Sequence, residues 1–272
     1  MGFDLPDTPS GATNISNYPV ELCMTIGLGL VCLFFVGTAI AGWRRTGSLL
    51  GIALLFGGAA AELVDTPIQL AGLEWFPHEG LAYYYEGVQH VPVWNVFVYA
   101  AYFGGGTYLL AERARQGVTK RTLWTLLGGL WISEVIFEVA VINLGGYSYF
   151  GEQPITLFGM PYFWLVTNFP GMLIAVAILV RMPQLFTGWK VITAVFLPGT
   201  TFALGSFGAG WPVFAAIHIA GPVGVNVAQV ITILIGLWMI SLTLPLIAED
   251  GPLGKAAPVP TRLRVTAPIR KP

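Results

Sequence analysis

Seven long apolar runs, each close to the length that crosses a bilayer, most constrain what this chain can fold into. A helix of about 20 apolar residues spans the hydrocarbon core of a membrane. The runs cover residues 19–42, 47–72, 92–111, 122–144, 161–180, 191–208 and 223–247. Only 10% of the residues are charged and 55% are hydrophobic, whereas soluble domains carry roughly 25% charged residues. The sequence therefore predicts an all-α polytopic membrane bundle of about seven transmembrane helices.

All the positive charges of the chain fall on one side of this bundle. All 13 Lys and Arg residues lie in the connections after the first, third and fifth runs or in the C-terminal tail. They are Arg44, Arg45, Arg113, Arg115, Lys120, Arg121, Arg181, Lys190, Lys255, Arg262, Arg264, Arg270 and Lys271. By the positive-inside rule, this pattern predicts an outside N-terminus, a cytoplasmic C-terminus and a multi-pass protein of the cell membrane.

The two ends of the chain differ from the apolar middle. Residues 1–18 form a polar N-terminal segment without a basic start, so we expect no signal peptide there. Residues 19–248 form the seven-helix domain, and residues 249–272 form a basic, Pro-rich tail that we expect to be disordered in the cytoplasm. The stretch 211–220 is apolar but too short to span alone, which favours a re-entrant or interfacial piece.

One polar connection joins two runs that carry acids near their outer ends. It covers residues 73–95, LEWFPHEGLAYYYEGVQHVPVWN, and is too rich in Pro, Gly and Tyr to cross a bilayer. Glu62 and Asp65 are spaced i, i+3 on the second run, and Glu134 and Glu138 are spaced i, i+4 on the fourth, so each pair projects from one helix face. At a rise of about 1.5 Å per residue, Glu134 is ~18 Å from Thr122 and Glu62 is ~22 Å from Gly47, so the two pairs lie at comparable depth. We expect the connection to cover a cavity lined by these four carboxyls.

Acids at membrane depth are costly and usually face a bundle interior or a wet cavity. No Lys or Arg lies in an apolar run, and both desolvation and neighbouring carboxylates favour the neutral form. A neutral Glu62, Glu134 or Glu138 is then a candidate general acid, and an ionised Asp65 a candidate base that stabilises a cation. His90, just before the third run, is a candidate for proton transfer. The alternative is that these groups only hold helices together through hydrogen bonds.

Aromatic and amide side chains crowd the same outer end of the bundle. An aromatic belt at the membrane surface explains many of them, but a pocket for a long apolar substrate would use the same faces to stabilise positive charge. The candidate substrate-binding residues are Trp75, Tyr85, Trp94, Asn95, Tyr147, Tyr149, Glu152, Trp164 and Asn168. No metal site is expected, because an HExxH motif is absent and the three histidines are scattered.

Two segments carry a family resemblance. Residues 65–94 read DTPIQLAGLEWFPHEGLAYYYEGVQHVPVW, and residues 145–168 read GGYSYFGEQPITLFGMPYFWLVTN. They are similar to the AveC-type spirocyclase family of actinobacterial membrane proteins, whose pattern includes a Trp-x-Pro loop, a Pro-x-Trp helix start and a Tyr-x-Tyr-x-Gly-x-Gln-Pro loop. The family also has an acid–Pro pair, which Thr66 interrupts here. The resemblance covers roughly residues 55–180.

The resemblance implies an integral membrane cyclase or dehydratase that acts by acid catalysis without a cofactor. The reaction it implies is ring closure, dehydration or hydration of a lipophilic polyketide- or terpenoid-like substrate. Carotenoid hydratases and membrane-bound terpene cyclases have similar loops and are alternatives.

Other classes of function are compatible with the same acids. A proton-coupled transporter of a lipophilic small molecule would use them to bind and release protons, whereas a scaffold would not need acids in the membrane. A retinal-type photoreceptor needs a buried Lys, and the last run has none. The expected partners are a lipophilic small-molecule substrate and membrane lipids. No nucleic-acid partner is expected, because the sequence has no basic stripe, and the oligomeric state stays open.

Overall fold

Helices make up most of the computed structural model, which describes residues 15–86 and 88–254. The α-helices are α1 (Tyr18–Thr46), α2 (Leu50–Ala71), α3 (Val93–Tyr99), α4 (Thr107–Gln116), α5 (Lys120–Asn143), α6 (Trp164–Arg181), α7 (Leu197–Ile219) and α8 (Pro222–Ile247). A π-helix, Ala100–Gly106, joins α3 to α4, and the 3-10 segments Pro183–Phe186 and Gly188–Phe196 precede α7. The strands are β1 (Glu74–Trp75), β2 (Tyr83–Glu86), β3 (His90–Pro92), β4 (Ser148–Tyr149), β5 (Thr156–Leu157) and β6 (Met160–Pro161). They form the antiparallel pairs β1–β4, β2–β3 and β5–β6.

Six helical segments in the described part of the chain are long and apolar enough to cross a membrane. They are Tyr18–Thr46, Leu50–Ala71, Lys120–Asn143, Trp164–Arg181, Gly188–Ile219 and Pro222–Ile247. The prediction of an all-α, multi-pass membrane protein is therefore confirmed. Most of the predicted N-terminal segment and C-terminal tail, residues 1–14 and 255–272, lies outside the described residues.

The third predicted run corresponds to a composite segment rather than to one α-helix. Its two α-helical ends, α3 and α4, are joined directly through the π-helix. This π-helix packs against α2 at very short range. A Cβ added to Gly58 would lie 2.6 Å from the Gly104 nitrogen, and one added to Gly104 would lie 2.6 Å from the Leu54 carbonyl oxygen. Glycine at both positions therefore lets the two backbones approach each other.

The stretch 211–220 is not a separate re-entrant or interfacial piece, because nearly all of it is the second half of α7. Pro212 lies inside this helix. Ala209, Val213 and Ile217 nevertheless form a buried stripe at helical spacing on both sides of the proline. Packing of this stripe against α6 and α8 offsets the backbone hydrogen bond that the proline removes. Tertiary contacts thus keep the helix continuous beyond residue 208, where the sixth apolar run was expected to end.

The helices differ in how deeply they are buried. In α6, 72% of the membrane-length apolar window is buried, compared with 6% in α1 and 11% in α5. α6 packs against α4, α7 and α8 and lies at the centre. α1 and α5 lie at the periphery and expose large apolar side chains, including Leu30 and Phe34 on α1 and Ile132 and Ile136 on α5. Two large cavities lie against these two peripheral helices.

The two long connections at one end of the bundle, which we call the loop end, fold onto each other. β1 pairs with β4, and the Phe150 N–H donates to the Leu73 carbonyl at 2.9 Å. The buried side chain of Gln89 braces the first connection from inside. Its amide oxygen accepts from the Phe76 N–H at 3.3 Å, and its amide nitrogen donates to the Glu74 carbonyl. The described residues of the stretch 73–95 therefore form a folded cap and not a loose loop.

The opposite end of the bundle, which we call the basic end, carries the connections rich in Lys and Arg. Arg181 donates to the Ala248 carbonyl at 3.3 Å, and the Glu249 N–H donates to the Val118 carbonyl at 2.8 Å. These bonds tie the end of α8 to α6 and to the connection between α4 and α5.

Candidate active site

A cavity of about 470 Å³ lies in the half of the bundle nearest the loop end. Its walls come from α1, α2, α3, the π-helix, α5, α6 and both long connections. The carboxyl groups that line it are Asp65 of α2, Glu74 of β1, and Glu134 and Glu138 of α5. The other polar or aromatic side chains with polar atoms in its wall are Trp94, Asn95, Tyr99, Tyr102, Ser133, Tyr147, Tyr149, Trp164 and Asn168. We call this space the acid chamber.

Hydrogen-bond donors hold the two acids of α2. The Gln69 amide, one turn further along the helix, donates to Asp65, and Tyr99 also hydrogen-bonds this carboxyl. Glu62 is fully buried and does not line the chamber. Each of its carboxylate oxygens lies 3.0 Å from the amide nitrogen of Asn95. Because Asn95 is itself part of the chamber wall, Glu62 is coupled to the chamber through this amide.

The two acids of α5 keep oxygens that no protein group occupies. Asn168 donates to one oxygen of Glu134 at 2.6 Å, whereas Oε2 of Glu134 and Oε2 of Glu138 are buried without a hydrogen-bond partner. Three potential donors in the chamber wall are also buried without a hydrogen-bond partner, namely the hydroxyls of Tyr102 and Tyr147 and the indole N–H of Trp164. Buried polar atoms without partners are rare and costly. Their concentration here indicates a space that receives a polar group or ordered water.

Glu74 enters the chamber from the loop end, although it was not among the predicted site residues. The backbone turns at Leu73, where φ is 54°, and β1 then sends Glu74 and Trp75 to opposite faces. Trp75 is buried against Phe150, so Glu74 points toward the acids of α2 and α5. The sequence feature that could have identified Glu74 is its position between two large apolar residues, Leu73 and Trp75, at the start of a connection.

The position of Glu74 has electrostatic consequences for the loop end. Burial raises the pKa of Glu74 well above its ordinary value, and the nearby charges of Asp65, Glu138 and Glu62 raise it further. Burial also raises the pKa of Tyr149, which lies opposite Glu74 in the β1–β4 pair, and Glu74 adds to this shift. The neutral forms of both groups are therefore favoured.

The chamber has no basic side chain in its wall. The ion pairs among the described residues, Arg45–Glu112 and Arg115–Glu112, lie at the basic end. Among the groups in the chamber wall, only protonation of the carboxylates can therefore relieve the repulsion between them. Within residues 15–86 and 88–254, no three His, Cys, Asp or Glu side chains are arranged so that they could hold a metal ion. The chemistry that this set of side chains can perform is to give and take protons.

Nine of the predicted site residues line the acid chamber. They are Asp65, Trp94, Asn95, Glu134, Glu138, Tyr147, Tyr149, Trp164 and Asn168. The acids of α2 and α5 thus meet in one cavity, with the aromatic residues of the second connection above them.

The remaining five predicted site residues lie outside the chamber wall. Glu62 lies behind Asn95, and Trp75 lies on the far face of β1. Tyr85 and Glu152 are exposed. β2 pairs only with β3 among the described strands, and 45% of Tyr85 is exposed.

The fifth of these residues, His90, belongs to a stack of rings beyond the chamber. Its ring lies on His78 with the centroids 3.8 Å apart, and its Nδ1 lies 3.2 Å from the His78 carbonyl oxygen. Trp75 also contacts His78, with a centroid distance of 4.4 Å. Burial lowers the pKa of His78, and the neighbouring His90 lowers it further. This pair holds the cap together at a distance from the chamber acids.

The chain matches no protein-family model, no curated protein and no solved structure. The function of the acid chamber is therefore inferred from the geometry of the chamber. The resemblance to the AveC-type family rests on the two loop motifs alone.

Besides Glu74, three polar residues of the chamber wall were not among the predicted site residues. Tyr99 and Tyr102 lie on the third run, and Ser133 lies next to Glu134. The spacing of Asn95, Tyr99 and Tyr102 is i, i+4, i+7, which is one face of a helix. This polar stripe on an otherwise apolar run was the available signal for both tyrosines.

Proposed function

We propose that this protein is an integral membrane enzyme that uses the acid chamber for acid-catalysed ring closure, dehydration or hydration of a lipophilic small molecule. The observation that carries the proposal is the meeting of Asp65, Glu74, Glu134 and Glu138 in one cavity without a basic side chain. The resemblance of both connections to the AveC-type spirocyclase family supports the same chemistry. It also favours a polyketide- or terpenoid-like substrate.

The proposed topology has seven crossings of the cell membrane. Six are the long apolar helices, and the composite segment 93–116 adds the seventh. The positive-inside rule then places the basic end in the cytoplasm and the loop end outside. In this topology the acid chamber lies in the outer half of the bilayer, and a lipophilic substrate reaches it through the membrane.

Glu134 and Glu138 are the proposed acids, because each keeps an oxygen free of protein partners. The protonated carboxyl transfers its proton from that oxygen to an alkene, carbonyl or hydroxyl of the substrate. The substrate becomes a carbocation or oxocarbenium ion, with loss of water if a protonated hydroxyl leaves, and the side chain becomes a carboxylate. For Glu134, the bond from Asn168 stabilises the carboxylate that remains.

Asp65 is the proposed base. Gln69 and Tyr99 both hydrogen-bond its carboxyl and hold it in place in the chamber wall. This carboxylate stabilises the substrate cation and accepts the proton released when a substrate hydroxyl closes the ring, when water adds or when a neighbouring C–H bond breaks. The ring faces in the chamber wall stabilise the same positive charge. Return of the proton from Asp65 to the α5 acid, through Glu74 or water, completes the cycle.

Untargeted lipid metabolomics on a deletion strain tests the proposal. The strain is complemented with the wild type, Glu134→Gln, Glu138→Gln or the control Glu86→Gln, an exposed acid of the first connection. We expect a precursor to accumulate in the deletion strain and in both chamber variants, with product formation about 10²–10⁴-fold slower. Precursor and product should be isomers or differ by one water. Full complementation by both folded chamber variants would show that the acids only hold helices together.

A proton-coupled carrier is the second candidate, because the acid chamber shares part of its wall with a larger cavity that reaches the basic end. Proteoliposomes with an imposed pH gradient distinguish the two. A carrier moves its lipophilic cargo across the bilayer unchanged, whereas the proposed enzyme alters the compound without a gradient.

A further inference from the structure

A second cavity, of about 920 Å³, extends toward the basic end between α1, α4, α5 and α6. We call it the apolar groove. Hydrocarbon side chains such as Leu110 and Leu127 line most of its length, and Arg45, Glu112 and Arg113 lie at its mouth. The proposed reaction does not use this space.

The apolar groove and the acid chamber are adjacent and share part of their walls. Four residues line both spaces, namely Phe35, Tyr102, Gly106 and Leu130. Along α5 the combined lining runs from Leu123 in the groove to Glu138 in the chamber, which is ~22 Å at the rise of an α-helix. The hydrocarbon core of a bilayer is about 30 Å thick. The combined space therefore follows most of the depth of the membrane.

The walls of the groove lie close to lipid. α1 and α5 are the peripheral helices of the bundle, and a Cβ added to Gly128 or Gly129 of α5 would meet nothing within 4 Å. No side chain of the described residues therefore packs against α5 at these two glycines, one of which, Gly129, lines the groove.

We propose that the apolar groove binds the chain of a long single-chain amphiphile whose anionic head group lies at Arg45 and Arg113 and whose far end lies in the acid chamber. The lining changes from cationic to apolar to acidic along the path, which matches a molecule of this kind. An anionic head group at the other end would be repelled by the chamber carboxylates. This inference rests on the proposed function, because it places the reacting alkene or oxygenated carbon at the end of the chain remote from the head group.

The arginines near the mouth of the groove differ in how firmly the protein holds them. Arg115 donates to Glu112 at 2.5 Å and to a main-chain carbonyl of α6 at 3.1 Å, so it serves the fold. Arg45 lies 3.9 Å from Glu112 and leaves 70% of its side chain exposed. Arg113 reaches Gln116 at 3.5 Å, the outer limit of a hydrogen bond. Arg45 and Arg113 therefore keep donors for a phosphate or carboxylate group.

Position-dependent cross-linking of the full-length protein in phosphatidylcholine nanodiscs tests this placement. Two hexadecyl phosphate probes carry a diazirine, one beside the phosphate and one at the chain end. We expect the first to label Leu126 and the second to label Tyr102 or Phe137. Labelling of the outward-facing Ile132 and Ile136 by both probes would identify ordinary surrounding lipid and overturn the proposal.

A matched pair of substitutions on α5 tests the groove itself. Leu127→Trp fills the groove, whereas Ile132→Trp adds the same bulk on the lipid-facing side of the same helix. The first should weaken saturable labelling at least about tenfold, because burying even two fewer methylene groups has that effect. The second should leave labelling unchanged. Equal labelling of both variants would show that the chain does not lie in the groove.

Competition between hexadecyl phosphate and hexadecanol tests the head group. Combining Arg45→Gln with Arg113→Gln should weaken competition by the phosphate about two- to fivefold, as expected for exposed charge pairs, and leave the alcohol unaffected. Arg44→Gln, in the same connection but outside the groove lining, is the control. An unchanged preference for the phosphate in the double variant would remove the anionic head group from the proposal.

The cross-linking pattern of Glu134→Gln separates this inference from the proposed function. Loss of product with an unchanged cross-linking pattern supports both the groove inference and the proposed function. Continued turnover with an unchanged pattern overturns the catalytic role of Glu134 and leaves the groove in place. Normal turnover by Leu127→Trp shows that the groove is not the site of the substrate chain, whatever the role of Glu134.

Discussion

The amide nitrogen of Asn95 lies 3.0 Å from both carboxylate oxygens of Glu62, and this contact joins the start of α3 to the middle of α2. Glu62 is fully buried, and the Gln69 amide at 3.4 Å is its second donor. Inside a membrane protein such a carboxyl depends on protein donors, because water is scarce there. Asn95 therefore binds two helices together and also forms the wall between Glu62 and the acid chamber.

Replacing Asn95 with Leu is expected to lower the free energy of unfolding by about 1–3 kcal/mol, because Glu62 loses its main hydrogen-bond donor in a buried site. The measurement is the Tm of the purified protein in detergent. Thr125→Ala is the control, since this exposed hydroxyl bonds a carbonyl of its own helix and its loss should change the free energy by about 0.5 kcal/mol or less. A Tm for Asn95→Leu equal to that of the wild type would contradict the role given to this amide.

Glu74 is expected to make stability depend on pH. Burial raises its pKa in the folded protein above the ordinary value of 4.5, so the folded state binds this proton more tightly than the unfolded chain does. The resulting stability is fully present below pH 4.5 and is lost as the pH rises through the folded pKa. The Tm of the wild type should therefore fall relative to that of Glu74→Gln as the pH is raised. Parallel curves for the two proteins would contradict the buried position of Glu74, and Glu86→Gln serves as the exposed control.

The close approach of α2 and the π-helix makes Gly58 sensitive to substitution. In Gly58→Ala the new Cβ would lie 2.6 Å from the Gly104 nitrogen and the Tyr99 carbonyl oxygen, so the two backbones must separate at a cost of about 1–3 kcal/mol. Gly128→Ala is the matched control, because its Cβ would meet nothing within 4 Å and alanine favours the helix by about 0.5–1 kcal/mol. Tm values in detergent should move in opposite directions. A stabilised Gly58→Ala would show that this contact is looser than described.

The orientation of the bundle is tested by labelling single cysteines in a Cys23→Ser, Cys32→Ser background. Glu152→Cys at the loop end should react with a membrane-impermeant maleimide in intact cells. Arg121→Cys at the basic end should react only after the cells are permeabilised, because the positive-inside rule places it in the cytoplasm. The reverse pattern would invert the proposed topology and place the acid chamber in the cytoplasmic half of the membrane.

Much of the fold and part of the candidate site follow from local patterns in the sequence. Hydropathy and helix length identify six of the membrane helices, and the spacing of Glu134 and Glu138 puts both on one face of α5. Such patterns depend on neighbours three or four residues away, so the structure they predict does not depend on how the rest of the chain packs. The same patterns ended the sixth run at residue 208, whereas α7 continues through Pro212 to Ile219 because its buried stripe is packed.

In contrast, contacts between distant parts of the chain decide which side chains line the acid chamber. Glu74 points into the chamber because β1 pairs with β4, more than 70 residues away in the sequence, and the same pairing turns Trp75 to the opposite face, where it is buried against Phe150. Glu62 stays behind the chamber wall because Asn95 of another helix closes over it. Helical spacing says which side chains share a face, but it does not say what lies opposite that face. The opposite wall exists only after the loops and helices have packed, because burial and hydrogen bonding between remote segments position it.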